Sequence, residues 1–394
     1  MLKKKHTENV MIWGAGKIGR GFLAEIFQDA GISITFVDCD DTLIHKLKTH
    51  SSYRIHKMMG DGQEQTVTIS GYEVLHSLEC ETITTKILQD QPLLAVAVLQ
   101  GSLPEAAASM APAIMKVAEQ FPDRSLDMIL CVNMLHLAPT FLGLLKEAIP
   151  SAYHPYLDQQ VGLVETVVMR MAPEAPQEML DKDPLATLNN GYPEMAVDRF
   201  AFKGAMPSVP MFRLSDRIRG EEIRKIFTIN MAHAMMAYIG TPVGQVYVAK
   251  CVLEPDIRRE VALAMEEASF GLSGEFGFSN EEMVKWNQEA LQSFENPALG
   301  DTLSRMGSDT KRKLSRDDRL VGPALLCLQY GKNPQVLAKA IAYGYRFQQA
   351  GDKGTEEVQA FLREYGIEKT VTRYSGIDEG PLHDLIVKKY RQIS

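Results

Sequence analysis

Short apolar runs alternate with amphipathic stretches through the first half of the chain, and helical spacing takes over in the second. Val10 to Trp13 and Ile32 to Val37 are too short for helices and read as buried strands. Between them Phe22, Leu23, Ile26 and Phe27 recur at helical spacing, and Ala30-Gly31 closes that helix. A helix over 41–49 follows. Residues 53–56 and 65–70 then alternate like strands around Gly60-Asp61-Gly62, which predicts a hairpin. Helical residues at 81–88 lead to the continuous apolar run Leu93 to Leu99, the pattern of a central strand buried on both faces. An amphipathic helix over 103–119, a strand at 127–132, a helix at 139–148 and a strand at 161–168 complete the alternation. Strand, helix, strand in this order predicts an α/β fold, a doubly wound and mostly parallel sheet with right-handed crossovers.

From Ala172 to Pro193 the composition shifts to Pro, Asp, Asn and Gly, which predicts a loop-rich connection. Strand-like pieces follow at 195–197 and 200–203. Beyond Pro210 helical period covers 215–239, 243–250, 255–270, 280–293, 322–330, 333–350, 355–364 and 379–391. Two domains are expected: residues 1–204 around the sheet, and residues 205–394 as a mainly α-helical domain.

The first apolar run ends in a G-x-G-x-x-G turn made of Gly14, Ala15, Gly16, Lys17, Ile18 and Gly19, and the second ends in Asp38. Strand, glycine turn, helix, strand and acid together form the Rossmann-type dinucleotide fingerprint. Gly14 permits the tight turn, Gly16 lets the backbone approach a pyrophosphate, and Gly19 lets helix pack on strand. The pyrophosphate would rest on unpaired N–H groups at the positive end of the helix. Asp38 can accept from both ribose hydroxyls and repels a 2′-phosphate, so NAD is expected rather than NADP.

Composition narrows the class. Hydrophobic content of 45% and charged content of 23% are those of a soluble globular protein. A net charge of −8 argues against nucleic acid or an anionic membrane as partner. Five scattered cysteines without a C-x-x-C fit a reducing cytoplasm and supply no zinc framework. No apolar window is long enough to span a membrane, and no signal-type segment follows the basic residues Lys3 to Lys5.

Candidate chemistry lies in Ile226 to Ile239, IFTINMAHAMMAYI, which carries no formal charge. A helix apolar all round is buried on most sides. Yet it holds Asn230 and His233, with Lys225 at its lip. At about 100° per residue the three project at about 0°, 140° and 80° in the order Lys225, Asn230, His233, so one wide face can present them all. Burying three such groups without partners would cost several kcal/mol, and a cleft for a polar ligand resolves that cost. A satisfied helical core is the competing reading. As chemistry, a desolvated Lys225 can act as general base on a secondary alcohol, Asn230 can donate to the developing alkoxide, and His233 can orient Lys225 or a neighbouring hydroxyl. No metal is needed for that scheme.

Two further features carry alternatives. Arg305, Lys311, Arg312, Lys313, Arg316 and Arg319 fall close together in an acidic protein. They form either a solvated face, aided by Asp309, Asp317 and Asp318, or an anion site for a substrate phosphate or carboxylate. Asn133, at the carboxyl end of the 127–132 strand, can reach nicotinamide or substrate, or simply turn the chain.

The segments WGAGKIGRGF, KIFTINMAHAMMAYIG and SFENPALGD with RKLSRDDRL closely resemble the mannitol-1-phosphate 5-dehydrogenase group of the polyol-specific long-chain dehydrogenases. The similarity covers roughly Val10 to Phe347. K-x-x-x-x-N-x-x-H is that family's signature, and it matches at Lys225, Asn230 and His233. The resemblance implies Lys225 as general base supported by Asn230 and His233. It also implies a Rossmann domain followed by a helical one, NAD, no metal, a commonly monomeric state, and interconversion of mannitol 1-phosphate with fructose 6-phosphate. Arg312, Lys313, Arg319 and Glu165 fall on its substrate side.

Departures from the family pattern gather on that same side. Met169 precedes Arg170 where an Asp-Arg pair is usual, and Glu165 stands for Asp or Asn. Val132 replaces a Glu before Asn133-Met134, Met195 replaces a Trp, and Ser308 stands where phosphate-specific enzymes tend to carry Arg. Another sugar phosphate, polyol or sugar acid of the uronate type is therefore an alternative substrate. A β-hydroxyacid dehydrogenase fits less well, since its Lys-to-Asn spacing is one helical turn. A non-catalytic NAD-binding sensor is the alternative from a different class.

Overall fold

The computed structural model describes residues 8–59 and 62–393. They form two compact units. The first runs to Ile218, and the second begins at Arg219; Gly60 and Asp61, around which a hairpin was expected, lie outside the described residues.

In the first unit β1 (Asn9–Trp13) is followed by a π turn, Gly19–Leu23, that continues into α1 (Ala24–Asp29). Next come β2 (Ser33–Asp38), α2 (Asp41–Thr49), β3 (Ser52–Met58), β4 (Glu64–Ser70), β5 (Glu73–His76) and α3 (Cys80–Asp90). Then follow β6 (Leu93–Val96), α4 (Leu103–Gln120), β7 (Leu126–Leu130), α5 (Leu137–Ala148), α6 (His154–Gln160) and β8 (Val161–Val168). The chain continues through α7 (Gln177–Leu180), β9 (Thr187–Asn189), β10 (Met195–Asp198) and β11 (Phe212–Ser215). The main sheet runs β11-β10-β8-β7-β6-β1-β2-β5, and β4-β3-β9 form a small second sheet. Every pair in the main sheet is parallel except β10 with β8.

Period-two alternation divides each central strand between two cores. Val10, Ile12, Ile34, Phe36, Ala95 and Ile129 enter one cluster. Met11, Trp13, Val37, Leu94, Val96, Met128 and Leu130 enter the other. Both faces are covered, which is why these strands read as unbroken apolar runs. Strand order reverses at β1, with β2 on one side and β6 on the other, and such a switch point opens a crevice at the strands' carboxyl ends. The glycine turn and Asp38 both lie at that edge.

The expected strand at 200–203 is not formed, and its place in the sheet is taken by β11. The reason is local. Phe200 N–H goes to Asp198 Oδ1 at 2.8 Å, and the amides of Lys203 and Gly204 go to Asp127 at 2.8 and 3.0 Å. Side-chain acceptors thus take the donors that a ladder would need. The connection at 172–193 also holds more structure than its composition suggests, since α7 and β9 lie within it.

The second unit is helical. α8 (Ile218–Lys225) passes into a π turn, Ile226–Asn230, and then α9 (Met231–Gly240). After it come α10 (Val248–Cys251), α11 (Pro255–Phe276), α12 (Asn280–Phe294), α13 (Leu303–Gly307), α14 (Thr310–Lys313), α15 (Val321–Gln329), α16 (Gln335–Arg346), α17 (Lys353–Ser375) and α18 (Pro381–Gln392). α9 packs against α11, α13 and α16, and Met231, Ala232, Ala234, Met235, Met236 and Ala237 are fully buried. The charge-free sequence of α9 is what a helix enclosed on three sides requires. Among the described residues no helix is long and apolar enough to cross a membrane.

The tightest constraint in the first unit is at Gly19, where a Cβ would stand 1.9 Å from Gly14 O. Gly19→Ala must therefore push helix and turn apart. The expected outcome is a loss of dinucleotide affinity of at least about tenfold by fluorescence titration. Gly143→Ala in α5, where nothing lies within 4 Å, leaves affinity unchanged.

Candidate active site

The turn between β1 and α1 is built to leave space. Gly14 sits at φ 94°, a left-handed backbone open to glycine, and its N–H donates to Val37 O at 2.8 Å. A Cβ on Gly14 would come within 2.6 Å of Ala97 O, whereas one on Gly16 would meet nothing within 4 Å. The open side at Gly16 is where a pyrophosphate would rest, on the helix N-terminus formed by Lys17, Ile18 and Gly19. These residues fit a dinucleotide.

Asp38 is held more firmly than sequence suggests. Its Oδ2 accepts from Ala15 N–H at 2.6 Å, and its Oδ1 accepts from Cys39 and Asp40 N–H at 2.8 and 3.0 Å. Two carboxylate oxygens have about four lone-pair sites, so capacity remains on Oδ2 for a ribose hydroxyl. Three amides keep the carboxylate from swinging aside.

Arg20 was not singled out by the fingerprint. Its Nε donates to Ala15 O at 2.5 Å and its guanidinium also reaches Leu185 O, so it buckles the turn to the segment before β9. Burial lowers its pKa, but a guanidinium keeps its charge. An arginine directly after the third glycine was the available signal. Lys17 pairs with Glu174 across the same turn.

On the carboxyl side of the sheet Asn133 is exposed in the loop after β7. Glu165 lies in β8 opposite Leu130, and its Oε1 accepts from Ala138 N–H at 2.8 Å. It thus caps the first turn of α5, a favourable place for a carboxylate, and anchors one end of the loop carrying Asn133. Arg170 is structural. It forms a buried pair with Glu25, donates to Tyr192 O at 2.6 and 3.0 Å, and lies 4.4 Å from the Phe22 ring.

In the second unit Lys225 is the last residue of α8, Asn230 closes the π turn, and His233 sits in the first turn of α9. The π turn corrects the helical-wheel geometry. Met231 N–H bonds to Ile226 O, a five-residue step. Such a wide turn brings residues five apart nearer to one face than the about 140° that separates them in a regular helix. Lys225 and Asn230 are five apart.

Burial lowers the Lys225 pKa to about 8, with Glu222 opposing and Arg319 adding to the shift. His233 is lowered to about 3 by burial first, then by Arg319, Arg305, Lys313 and Lys225. The imidazole is therefore neutral throughout the physiological range. Its ring lies 4.6 Å from Phe294, and its buried Nε2 has no hydrogen-bond partner among the described residues. An orphaned polar atom this deep calls for a ligand or water.

The basic cluster splits. Lys311 pairs with Glu357 at 2.7 Å, and Arg316 donates to Gly376 O at 2.7 Å. Arg312 joins Asp309 and Asp318 at 2.8 and 3.1 Å. Arg305, Lys313 and Arg319 are the members that bear on His233. Lys313 is buried, donates to Met306 O at 2.8 Å and to Ser308 O, and has its pKa lowered to about 7, by burial first and then by Arg319 and Arg312. Arg319 holds Asp318 at 2.7 Å. The cluster thus divides: Lys311, Arg312 and Arg316 engage protein partners, while Lys313 turns inward and Arg305 and Arg319 lie near His233.

Residues 8–211 match the mannitol dehydrogenase Rossmann domain, and residues 220–375 match the mannitol dehydrogenase C-terminal domain. The chain belongs to the mannitol dehydrogenase family. As a member it is a polyol dehydrogenase, an oxidoreductase acting on a CH–OH group. Solved structures share the fold at low identity. D-sorbitol dehydrogenase in substrate-free form aligns with a TM-score of 0.81 and 13% identity, over 98% of this chain and 93% of that one. Mannitol 2-dehydrogenase from Pseudomonas fluorescens, a ternary complex with NAD and D-mannitol, aligns with a TM-score of 0.75 and 14% identity, over 99% and 92%.

The fixed Asp38 carboxylate generates a cofactor test. Asp38→Asn removes the charge while keeping an acceptor for Ala15 N–H. The ratio of NAD to NADP affinity, measured by equilibrium titration of each, should fall by about tenfold or more.

Proposed function

We propose that this member of the mannitol dehydrogenase family transfers hydride between a sugar alcohol phosphate and its ketose, with mannitol 1-phosphate and fructose 6-phosphate as the pair. The observation that carries the reading is the desolvated Lys225, lowered to about 8, in one stretch with Asn230 and a neutral His233. Its cofactor is NAD, in keeping with Asp38 and its three amide donors. Bound NAD supplies the hydride acceptor for the alcohol carbon.

The chain's own groups handle the proton. In the oxidation direction neutral Lys225 takes the hydroxyl proton as the C–H bond breaks. The Asn230 amide donates to the oxygen as negative charge develops on it. Neutral His233 offers its ring to a neighbouring hydroxyl and helps hold the carbon chain in place. In ketose reduction the same Lys225, protonated, returns the proton to the new alkoxide. Arg305, Lys313 and Arg319 supply positive potential for the phosphate.

A second reading has its own support. Arg312 and Arg319 already share Asp318, which reduces the charge left for a dianion and suits a neutral polyol or a singly charged sugar acid. NADH oxidation with fructose 6-phosphate, fructose and a keto-uronate separates these. The expected order places fructose 6-phosphate first, and Arg319→Gln raises its KM by about tenfold or more while sparing fructose. Equal losses on both ketoses would favour the neutral substrate.

Lys225→Ala should abolish turnover while NAD still binds. Since deprotonated Lys225 is the competent form for oxidation, kcat/KM in that direction rises with pH and levels above about 8. In the reductive direction it falls over the same range. Full activity of Lys225→Ala, or a flat profile through this range, would overturn the assignment.

A further inference from the structure

We propose that Thr228 and Trp286 are positioning residues that hold the π turn at Ile226–Asn230 and, through it, the register of Asn230 on Lys225. The inference rests on the reading of Lys225 and Asn230 as catalytic partners. It concerns what keeps them in line.

A wide turn inside a helix is not the default, because an ordinary α-helix places five-apart residues on different faces. Something must insert into the hydrogen-bond ladder to keep it open. Thr228, fully buried at the middle of the turn, does this. Its Oγ1 donates to Arg224 O at 2.6 Å, a back-bond of the kind that bends helices. The same oxygen accepts from Trp286 Nε1–H at 2.8 Å. With its one proton given to Arg224 and a lone pair given to Trp286, the hydroxyl has a single orientation. A valine of the same shape could make neither bond.

Trp286 grips the chain on both sides of Lys225. Beyond its bond to Thr228, its ring lies 3.9 Å from the Arg224 guanidinium, which also reaches Glu282 at 3.2 Å. Trp286 and Glu282 both stand on α12. On the far side of the turn Phe227 presses against Gly322, where a Cβ would come within 2.4 Å of the ring. The residue before Lys225 and the residues after it are thus fixed by neighbours, while Lys225 and Asn230 remain only partly buried.

The test compares Thr228→Val, Thr228→Ser and Trp286→Phe in the full chain, with Lys225→Ala as reference. Trp286→Phe removes the N–H donor and leaves a ring for Arg224. Thr228→Val and Trp286→Phe are expected to lower kcat by about tenfold or more, as a misplacement near 1 Å does. The kinetic pKa near 8 should move as well, while NAD affinity stays unchanged. Thr228→Ser, which keeps the hydroxyl, retains most activity. If Thr228→Val does not fold, Trp286→Phe alone carries the same expectation. Wild-type kcat and an unmoved kinetic pKa in the folded variants, with Lys225→Ala inactive, would overturn the positioning role and leave the catalytic reading standing. An active Lys225→Ala would remove both.

Discussion

The partial desolvation of Lys225 is the constraint on which the candidate site in the helical unit depends. An ammonium ordinarily stays protonated to far above neutral pH, and burial, aided by Arg319, brings it down to about 8. That lowering corresponds to about 3 kcal/mol against the charged form. Glu222 opposes that lowering but offsets it only in part. The charge-free α9, packed on three sides, keeps water away from the stretch that follows Lys225. Burial first, and then Arg319, Arg305 and Lys313, hold His233 neutral. Desolvating an ammonium beside other cations costs stability, and the proposed role of Lys225 as a general base would give that cost a purpose.

The two units solve different problems with different materials. In the first, backbone does most of the work. Gly14 and Gly19 let the turn close against Ala97 and on itself, Gly16 leaves room, and Asp38 is tied by three amides. Such a site depends on glycine positions and tolerates side-chain variation around them. In the second, side chains decide. The helix widens between Lys225 and Asn230, and there Thr228 bonds Arg224 O and the Trp286 indole of α12.

That division explains what could be read from sequence. The fold was legible because strands buried on both faces are continuous apolar runs, and because the glycine turn has few alternatives. Residues 200–203 misled because the nearby Asp198 takes the Phe200 amide and Asp127, far away in sequence, takes those of Lys203 and Gly204. Lys225, Asn230 and His233 stood out as polar residues in an apolar helix, but the π turn was invisible to a wheel drawn at constant pitch. The basic cluster could not be divided without knowing that Lys311 meets Glu357 and Arg316 meets Gly376 O, while Lys313 turns inward. Arg20 passed unnoticed because its partners, Ala15 O and Leu185 O, are carbonyls that carry no sequence signal.

The central claim is that Lys225 is an amine poised near neutrality by burial, and its ionisation can be observed directly. In protein labelled with nitrogen-15 at lysine side chains, the Lys225 resonance is assigned by its loss in Lys225→Gln and followed against pH. The expected midpoint is near 8, well below the ordinary lysine value. A midpoint in the ordinary lysine range, near 10.5, would contradict it.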